Sequence, residues 1–146
     1  MYRNILVSVD GSVNSQLALR EAIRLAKDQN AKLRLVHVVD PASNPYMAEY
    51  AYTGHAEDSV RHVGETILRE AKALAMEGEV QAETVMLDAD DRGVANVIAD
   101  EAGRWPADLV VLGTHGRIGV RRLVLGSVAE GVIRISPAPV LLVREQ

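Results

Sequence analysis

Hydrophobic positions along the chain follow two spacings, one typical of buried strands and one typical of helices. Continuous apolar runs predict five strands, at residues 5–10, 33–39, 80–87, 108–112 and 140–143. After the first run, Ala18, Ala22 and Ala26 recur every four residues, which predicts an amphipathic helix. Similar spacing predicts helices over residues 60–74, with Asp58 as the cap, over 94–102 and over 128–135. The third strand is less apolar, which favours a position near the edge of a sheet.

Strands and helices alternate in this prediction, and their order indicates the fold class. Parallel strands need right-handed crossovers, so the pattern predicts a single α/β domain over residues 1–146, with a five-stranded parallel sheet and helices on both faces. Ligands of such sheets bind beyond the carboxyl ends of the strands, where the strand order reverses. The loops after strands one and four, which hold Asp10 and Gly113, are therefore the expected ligand site.

Residues 41–57 interrupt this alternation. They contain three of the four tyrosines, Tyr46, Tyr50 and Tyr52, and have no clear period. We expect a long loop or a partly helical flap there.

A glycine pattern after the fourth strand is the most specific chemical signal. The run G-T-H-G, residues 113–116, is followed after nine residues by Gly126 and Ser127; we call this pattern the glycine motif. Glycine lets backbone N–H groups face a ligand without an intervening Cβ atom. A Gly-Ser pair at a helix start adds a hydroxyl, free N–H groups and the positive end of the helix dipole. The combination predicts a cradle for a phosphate chain.

Each of these residues also has a structural interpretation when it is taken singly. Gly113 and Gly116 are then more typical of turns. Asp10, which precedes Gly11 and Ser12, is as typical of a helix cap as of a ligand-binding residue. The full pattern in a strand-loop-helix context favours the phosphate cradle.

Composition and charge exclude several kinds of partner. The formal net charge is −4 and the basic residues are scattered, whereas nucleic-acid binding needs clustered cations, so we expect no nucleic-acid partner. Cysteine is absent, which excludes disulfides and thiolate metal sites. The chain enters its first strand without the apolar core of a signal peptide, and no apolar run reaches membrane-spanning length. We expect a cytoplasmic protein with no membrane partner.

Other polar residues carry weaker signals. His37 lies inside an apolar strand, which is more typical of a packed histidine with a satisfied hydrogen bond than of a ligand. Residues 88–91 predict a strand-to-helix turn with a capping residue, although a divalent metal remains an alternative there, and the metal is unknown. Arg121 and Arg122 lie within the glycine motif, where contact with a γ-phosphate, with solvent or with a partner is open.

Several segments, in the same order along the chain, resemble those of one family. They are N-I-L-V-S-V-D-G-S (residues 4–12), V-H-V-V-D (36–40), the glycine motif with G-S-V-A-E (126–130), and P-V-L-L-V-R (139–144). All are similar to the universal stress proteins, whose ATP-binding branch carries the pattern G-x2-G-x9-G-[ST]. The resemblance covers nearly the whole chain except the tyrosine-bearing segment. It implies a Rossmann-like adenine-nucleotide-binding fold with the strand order 3-2-1-4-5.

The same resemblance implies a role for each matching residue of a nucleotide site. Asp10 would accept hydrogen bonds from the ribose hydroxyls, and Val38 would meet the adenine. The phosphates would be enclosed by Gly113, His115 and Gly116, by Arg117 at the rim, and by Gly126, Ser127 and Val128 at the helix start. Ser8 is also included among the residues of the nucleotide site. Many relatives carry proline at Ser8 and cysteine at Ala138, but phosphate binding needs no particular side chain at either position.

The function implied by the resemblance is that of a regulatory stress-response protein that binds ATP or AMP, with Mg²⁺. The chain lacks the G-x-x-x-x-G-K-[ST] loop and its lysine, so the cradle favours holding a nucleotide over cleaving it. Two alternatives remain open: a slow ATPase or autophosphorylating enzyme, with Ser127 as a candidate hydroxyl, and an interaction scaffold with a vestigial cleft. An apolar last strand at a sheet edge needs a cover. Together with the resemblance, this predicts a homodimer through residues 139–144, with a tetramer left open.

Overall fold

The computed structural model describes residues 1–40, 56–115 and 125–145, and these ranges contain five strands and four helices. The strands are β1 (Asn4–Ser8), β2 (Lys32–Val39), β3 (Ala82–Asp88), β4 (Leu109–Gly113) and β5 (Val140–Val143). The helices are α1 (Val13–Gln29), α2 (Ala56–Glu77), α3 (Val94–Arg104) and α4 (Ser127–Ile135). Most of the predicted loop at 41–57 lies outside the described residues. None of the helices in the described ranges is long and apolar enough to cross a membrane.

All five strands are parallel and form one sheet in the order β3-β2-β1-β4-β5. β1 is central, with Val7 opposite Leu35 on β2 and opposite Val111 on β4. The chain builds the sheet from β1 through β2 to β3, and then crosses back to add β4 and β5 on the other side. The strand order therefore reverses between β1 and β4, which is where ligands of open α/β sheets bind. The predicted strand order and the edge position of the third strand are confirmed.

Helices cover both faces of the sheet, because successive residues of the central strands point to opposite faces. On one face, Ile5 and Val7 of β1 pack with apolar residues of α1 and α2. On the other face, Leu6 packs with Ile98 of α3 and Val132 of α4. All three β1 residues are fully buried, which explains why this strand is a continuous apolar run. The predicted fold class is confirmed.

Several predicted boundaries differ from those of the structure. The strand predicted at residues 80–87 is Ala82–Asp88, because the N–H of Val80 donates to the carbonyl of Ala75 at the end of α2 (2.9 Å). β1 ends at Ser8 rather than at Asp10, because the N–H of Asp10 donates to the side chain of Ser15 (3.0 Å) instead of continuing the strand ladder. Asp58 does not cap α2, because the helix begins at Ala56 and includes Asp58 in its first turn.

The acidic segment 88–91 forms the predicted strand-to-helix turn, but none of its carboxylates caps the helix. The N-cap of α3 is Gly93, which has no side-chain hydrogen bond and a φ of 99° that disfavours residues with a Cβ atom. Asp90 closes the turn instead, because its Oδ1 accepts from the N–H of Arg92 (2.9 Å). The capping prediction for this segment is therefore wrong.

Candidate functional site

The residues that follow β1 and β4 leave the sheet side by side where the strand order reverses. Val7 and Val111 are partners in these adjacent parallel strands, so both strands end at the same edge. Asp10 lies just beyond β1, and Gly113 is the last residue of β4. α1 and α4 begin after these strands. The two loops predicted to form a site are therefore neighbours.

The turn after β1 holds Asp10 by both its backbone and its carboxylate. The N–H of Asp10 donates to Oγ of Ser15 (3.0 Å), and Oδ1 of Asp10 accepts from the N–H of Ser12 (2.8 Å). Gly11 has a φ of 83°, which a residue with a side chain rarely adopts. Among the described residues, Oδ2 of Asp10 has no hydrogen-bond partner. One carboxylate oxygen is therefore open to a ligand.

Ser12, rather than Asp10, caps α1. The hydroxyl of Ser12 accepts from the N–H of Ser15 (3.2 Å), as expected of an N-cap serine. The capping interpretation of Asp10 is therefore wrong, and its role as a ligand-binding residue stays a prediction.

His37 is buried beside the same turn, with 7% of its surface exposed. Its Nδ1 lies 2.8 Å from the carbonyl oxygen of Val9. Because a carbonyl only accepts, Nδ1 carries the proton in this hydrogen bond. The N–H of Val9 donates to the carbonyl of Val36 (2.8 Å). The prediction of a packed histidine with a satisfied hydrogen bond is confirmed.

Gly113 lies against the first turn of α1. A Cβ atom at Gly113 would come within 2.7 Å of the carbonyl carbon of Asn14 and within 2.8 Å of its Cβ. Oδ1 of Asn14 also accepts from the N–H of Glu145 (3.0 Å), just beyond β5. Gly113 is thus a strand residue that needs the absence of a side chain for helix packing. The turn interpretation is wrong for this glycine.

Thr114 joins the two halves of the glycine motif. Its carbonyl accepts from the N–H of Gly126 (2.8 Å), and its own N–H donates to the carbonyl of Val143 on β5 (3.0 Å). The Thr114 side chain is buried, and its hydroxyl lies 3.1 Å from Nδ1 of His115. The fold therefore brings the two halves of the motif together.

α4 begins at this edge without a side-chain cap. Its N-cap is Gly126, which has an extended backbone, and Ser127 is exposed in the first turn. The N–H of Glu130 donates to the carbonyl of Gly126, which is the first hydrogen bond of the helix. The Glu130 carboxylate pairs with Arg134 (3.0 Å). The earlier N–H groups of the helix have no helical acceptor, and they lie at the positive end of its dipole. Such a helix start favours an anion.

The remaining predicted residues fall into two groups. Ser8 and Val38 are half-buried at the carboxyl ends of β1 and β2, and Val38 packs on the face that α3 and α4 cover, as does Val128. Gly116 and Arg117 lie outside the described residues, as do Arg121 and Arg122, so their roles stay predictions. Within the described ranges, no group of three or more His, Cys, Asp or Glu side chains is placed to hold a metal ion.

Comparison with known proteins identifies the family. The model of the Universal stress protein family matches residues 1–144. The chain belongs to the universal stress protein family. A relative with this family name, YxiE of Bacillus subtilis, is 35% identical over 152 aligned positions, which cover 99% of this chain and 100% of the relative.

Solved structures of universal stress proteins have the same fold. UspA from Lactobacillus plantarum matches with a TM-score of 0.82 and 27% identity over 98% of both chains. A universal stress protein solved in complex with cAMP matches with a TM-score of 0.70 and 28% identity, over 98% of this chain and 97% of the other. The resemblance predicted from the sequence motifs is therefore confirmed at the level of family and fold.

Two residues beside the candidate site are missed by prediction from the sequence. Ser15 follows the cap serine by three positions, and this S-x-x-S spacing is a signal, but its contact with Asp10 depends on the tertiary turn. Asn14 contacts Gly113 and the segment after β5, which are distant in sequence, so it leaves no local signal.

Proposed function

We propose that this universal stress protein binds an adenine nucleotide, ATP or AMP with Mg²⁺, between the loops that follow β1 and β4. The observation that carries the proposal is the hydrogen bond from the N–H of Gly126 to the carbonyl of Thr114 (2.8 Å). This bond joins the two halves of the glycine motif at the edge where Asp10 also lies. The cAMP found in a relative 28% identical to this chain supports an adenine nucleotide as the ligand class.

In the proposed complex, the ribose, the adenine and the phosphates each contact a different part of the site. Oδ2 of Asp10 accepts a hydrogen bond from the ribose, and Val38 packs against the adenine. The N-terminus of α4 offers unpaired N–H groups and a positive dipole end to the phosphates. Ser8, the last residue of β1, belongs to the proposed set. The residues proposed to surround the phosphates are Gly113, His115, Gly116, Arg117, Gly126, Ser127 and Val128.

The proposed role is regulatory. A nucleotide that orders the loops after β1 and β4 shifts the protein toward one conformation, to the extent that it binds that conformation more tightly. A partner that recognises the ordered surface then responds to the nucleotide. We place this role in the cytoplasm, in the stress response, and in a homodimer that forms through β5.

Calorimetric titration of the nucleotide-free protein with ATP and with AMP, each with Mg²⁺, tests the binding proposal. We expect saturable binding and a rise in Tm, because a ligand of the folded state stabilises it. Asp10→Ala is expected to weaken binding, and Gly116→Val to abolish it by filling the cradle.

Asp28→Ala is the matched control. It also removes a carboxylate, but Asp28 is exposed near the opposite end of α1 and should leave the affinity unchanged. A folded wild-type protein that shows neither heat nor a Tm change with either nucleotide would contradict the proposal and favour an interaction scaffold.

A further inference from the structure

One peptide group at this edge is held from both sides by buried side chains. The peptide between Val9 and Asp10, here the 9–10 peptide, has its carbonyl 2.8 Å from Nδ1 of His37 and its N–H 3.0 Å from Oγ of Ser15. The exposed fractions are 7% for His37 and 4% for Ser15. In the ranges that the structure describes, the buried polar residues are Ser15, His37, Glu101 and Thr114. Two of these four therefore act on the same peptide.

Both side chains belong to packed elements that hold them in place. His37 is on β2, and its ring is covered by α2, where a Cβ atom at Gly64 would come within 2.7 Å of Cδ2 of His37. Ser15 is in the first turn of α1, and its N–H donates to Oγ of Ser12 (3.2 Å). The 9–10 peptide is therefore fixed relative to the sheet and to α1, although it lies in a turn.

We propose that His37 and Ser15 are positioning residues for the Asp10 carboxylate and that they set the preference of the site for a ribose with its hydroxyls. The peptide unit is planar, so fixing its carbonyl and its N–H fixes the position of the Cα atom of Asp10 and the direction of its N–Cα bond, and with them the point from which the side chain projects. The hydrogen bond from the N–H of Ser12 to Oδ1 (2.8 Å) then orients the carboxylate. An acceptor that is already oriented loses less conformational freedom when the sugar binds. This inference rests on the proposed nucleotide site and adds its sugar specificity.

A purely structural role for the two side chains makes a different prediction. Removing either partner leaves a peptide group without its hydrogen bond and lowers stability in both cases. A structural defect would weaken every nucleotide to the same extent. A positioning role weakens only those nucleotides whose sugar hydroxyls contact Asp10.

The test compares the affinities of ATP and 2′,3′-dideoxy-ATP, which lacks both hydroxyls. We expect the wild-type protein to bind ATP about tenfold more tightly, the effect of a hydrogen bond to a charged acceptor. Asp10→Ala should reduce this ratio to about one. His37→Leu and Ser15→Ala should lower the ratio about threefold or more, mainly through weaker ATP binding, while the affinity for dideoxy-ATP stays within about twofold.

Two further variants separate positioning from folding. His37→Asn keeps a side-chain N–H donor close to the position of Nδ1, so it should restore most of the ratio that His37→Leu loses. Ser15→Ala should have no further effect on the ratio in the Asp10→Ala background, because the residue through which it acts is gone. Ser136→Ala, which removes a hydroxyl that bonds the carbonyl of Ala138 (2.7 Å) beyond the other end of α4, is the matched control.

The outcomes distinguish this inference from the proposed function. One outcome is that Asp10→Ala abolishes the preference for ATP over dideoxy-ATP, while His37→Leu and Ser15→Ala retain the wild-type preference. That result would overturn the positioning role but leave the nucleotide site in place. The positioning role would also be overturned if folded His37→Leu and Ser15→Ala proteins lost the same factor of affinity for both nucleotides. A wild-type protein that binds both nucleotides equally tightly would overturn it as well. A wild-type protein that binds neither nucleotide would overturn the proposed function, and this inference with it.

Discussion

Oε1 of Glu101 lies 2.6 Å from Nη1 of Arg34 and forms an ion pair that is largely shielded from water. The Glu101 side chain, on α3, is 5% exposed, and that of Arg34, on β2, is 19% exposed. Arg34 also pairs with Glu83 on β3 (2.8 Å), and its guanidinium lies 4.9 Å from the centroid of the Trp105 ring. A charged contact therefore joins α3 to the sheet beside an apolar cluster.

Loss of Arg34 is expected to cost more stability than loss of any other member of this group. Arg34→Met leaves Glu101 buried, with the exposed Arg104 as its remaining ion-pair partner among the described residues (2.9 Å), and should lower the free energy of unfolding by about 3 kcal/mol. Glu101→Gln should cost less, because Arg34 keeps Glu83. Urea denaturation at neutral pH measures both changes. Glu83→Gln is the control and should lower the free energy of unfolding by about 1 kcal/mol or less, since Glu83 is half-exposed. If Arg34→Met lost no more stability than Glu83→Gln, the prediction would be contradicted.

Gly113 should not tolerate a side chain, although it lies in a strand. Gly113→Ala places a Cβ atom 2.7 Å from the backbone of Asn14, so α1 or β4 must shift, at a cost of about 1–3 kcal/mol. Gly103→Ala is the matched control, because its Cβ atom would meet nothing nearer than Cγ of Pro137 at 3.9 Å. In a helix this control should be stabilising by about 0.5 kcal/mol. Similar Tm values for the two variants would show that the contact with Asn14 is not restrictive.

The sheet and the meeting of the two loops could be predicted from the sequence, for identifiable reasons. Ile5, Leu6 and Val7 are all fully buried, so β1 is visible as an unbroken apolar run. The spacing of the glycine motif indicates that its two halves meet. The bond that joins them is made by the backbone of Thr114, and a backbone group has no signature in the sequence.

Other features could not be predicted because they depend on tertiary contacts. His37 and Ser15 come from different elements and act on a peptide that belongs to neither. Asp58 has the residue type of an N-cap, but an aspartate is also favourable within the first helical turn, where it interacts with the dipole. Local sequence rules therefore identify the elements better than the contacts that complete the site.

Asp90 should give the fold a contribution to stability that depends on pH. The guanidinium of Arg92 donates to Oδ2 of Asp90 (2.6 Å) and holds the pKa of that carboxyl below its ordinary value of 3.8. Because the folded-state pKa is depressed, the contribution is present above 3.8 and is lost as the pH falls from there through the folded-state pKa.

Asp90→Asn tests this dependence, because asparagine can still accept from the N–H of Arg92. The variant should be less stable than the wild type at neutral pH, and the difference should shrink as the pH falls below 3.8. Denaturation curves measured across this pH range give the difference. It should also shrink at high salt, since the pair is exposed; a difference independent of pH and salt would exclude the charge as its cause.

The proposed homodimer should depend on the outward-facing backbone of β5. The carbonyl of Pro139 accepts from Val110 of β4, and that of Val143 accepts from Thr114, just beyond β4. The alternating residues Val140 and Leu142 therefore present their N–H and C=O groups to the outer edge. Leu142→Pro removes one of these N–H groups and should convert the dimer to a monomer. Leu142→Ala loses the side chain but keeps the N–H, and should remain dimeric.

Sedimentation velocity over a range of concentrations distinguishes these states, with circular dichroism to confirm that both variants are folded. A dimer that persists in the folded Leu142→Pro protein would place the contact elsewhere. A monomeric wild-type protein would contradict dimerisation altogether.

The hydrogen bond between Thr114 and Gly126 has a consequence for the residue at position 126. The carbonyl of Thr114 accepts from the N–H of Gly126, and the N–H of Thr114 donates to the carbonyl of Val143, so backbone groups tie the N-cap of α4 to the end of β5. A bond between two backbone groups does not depend on which side chain either residue carries. It does need an N–H at position 126, and proline, which has none, is the residue type that would remove it.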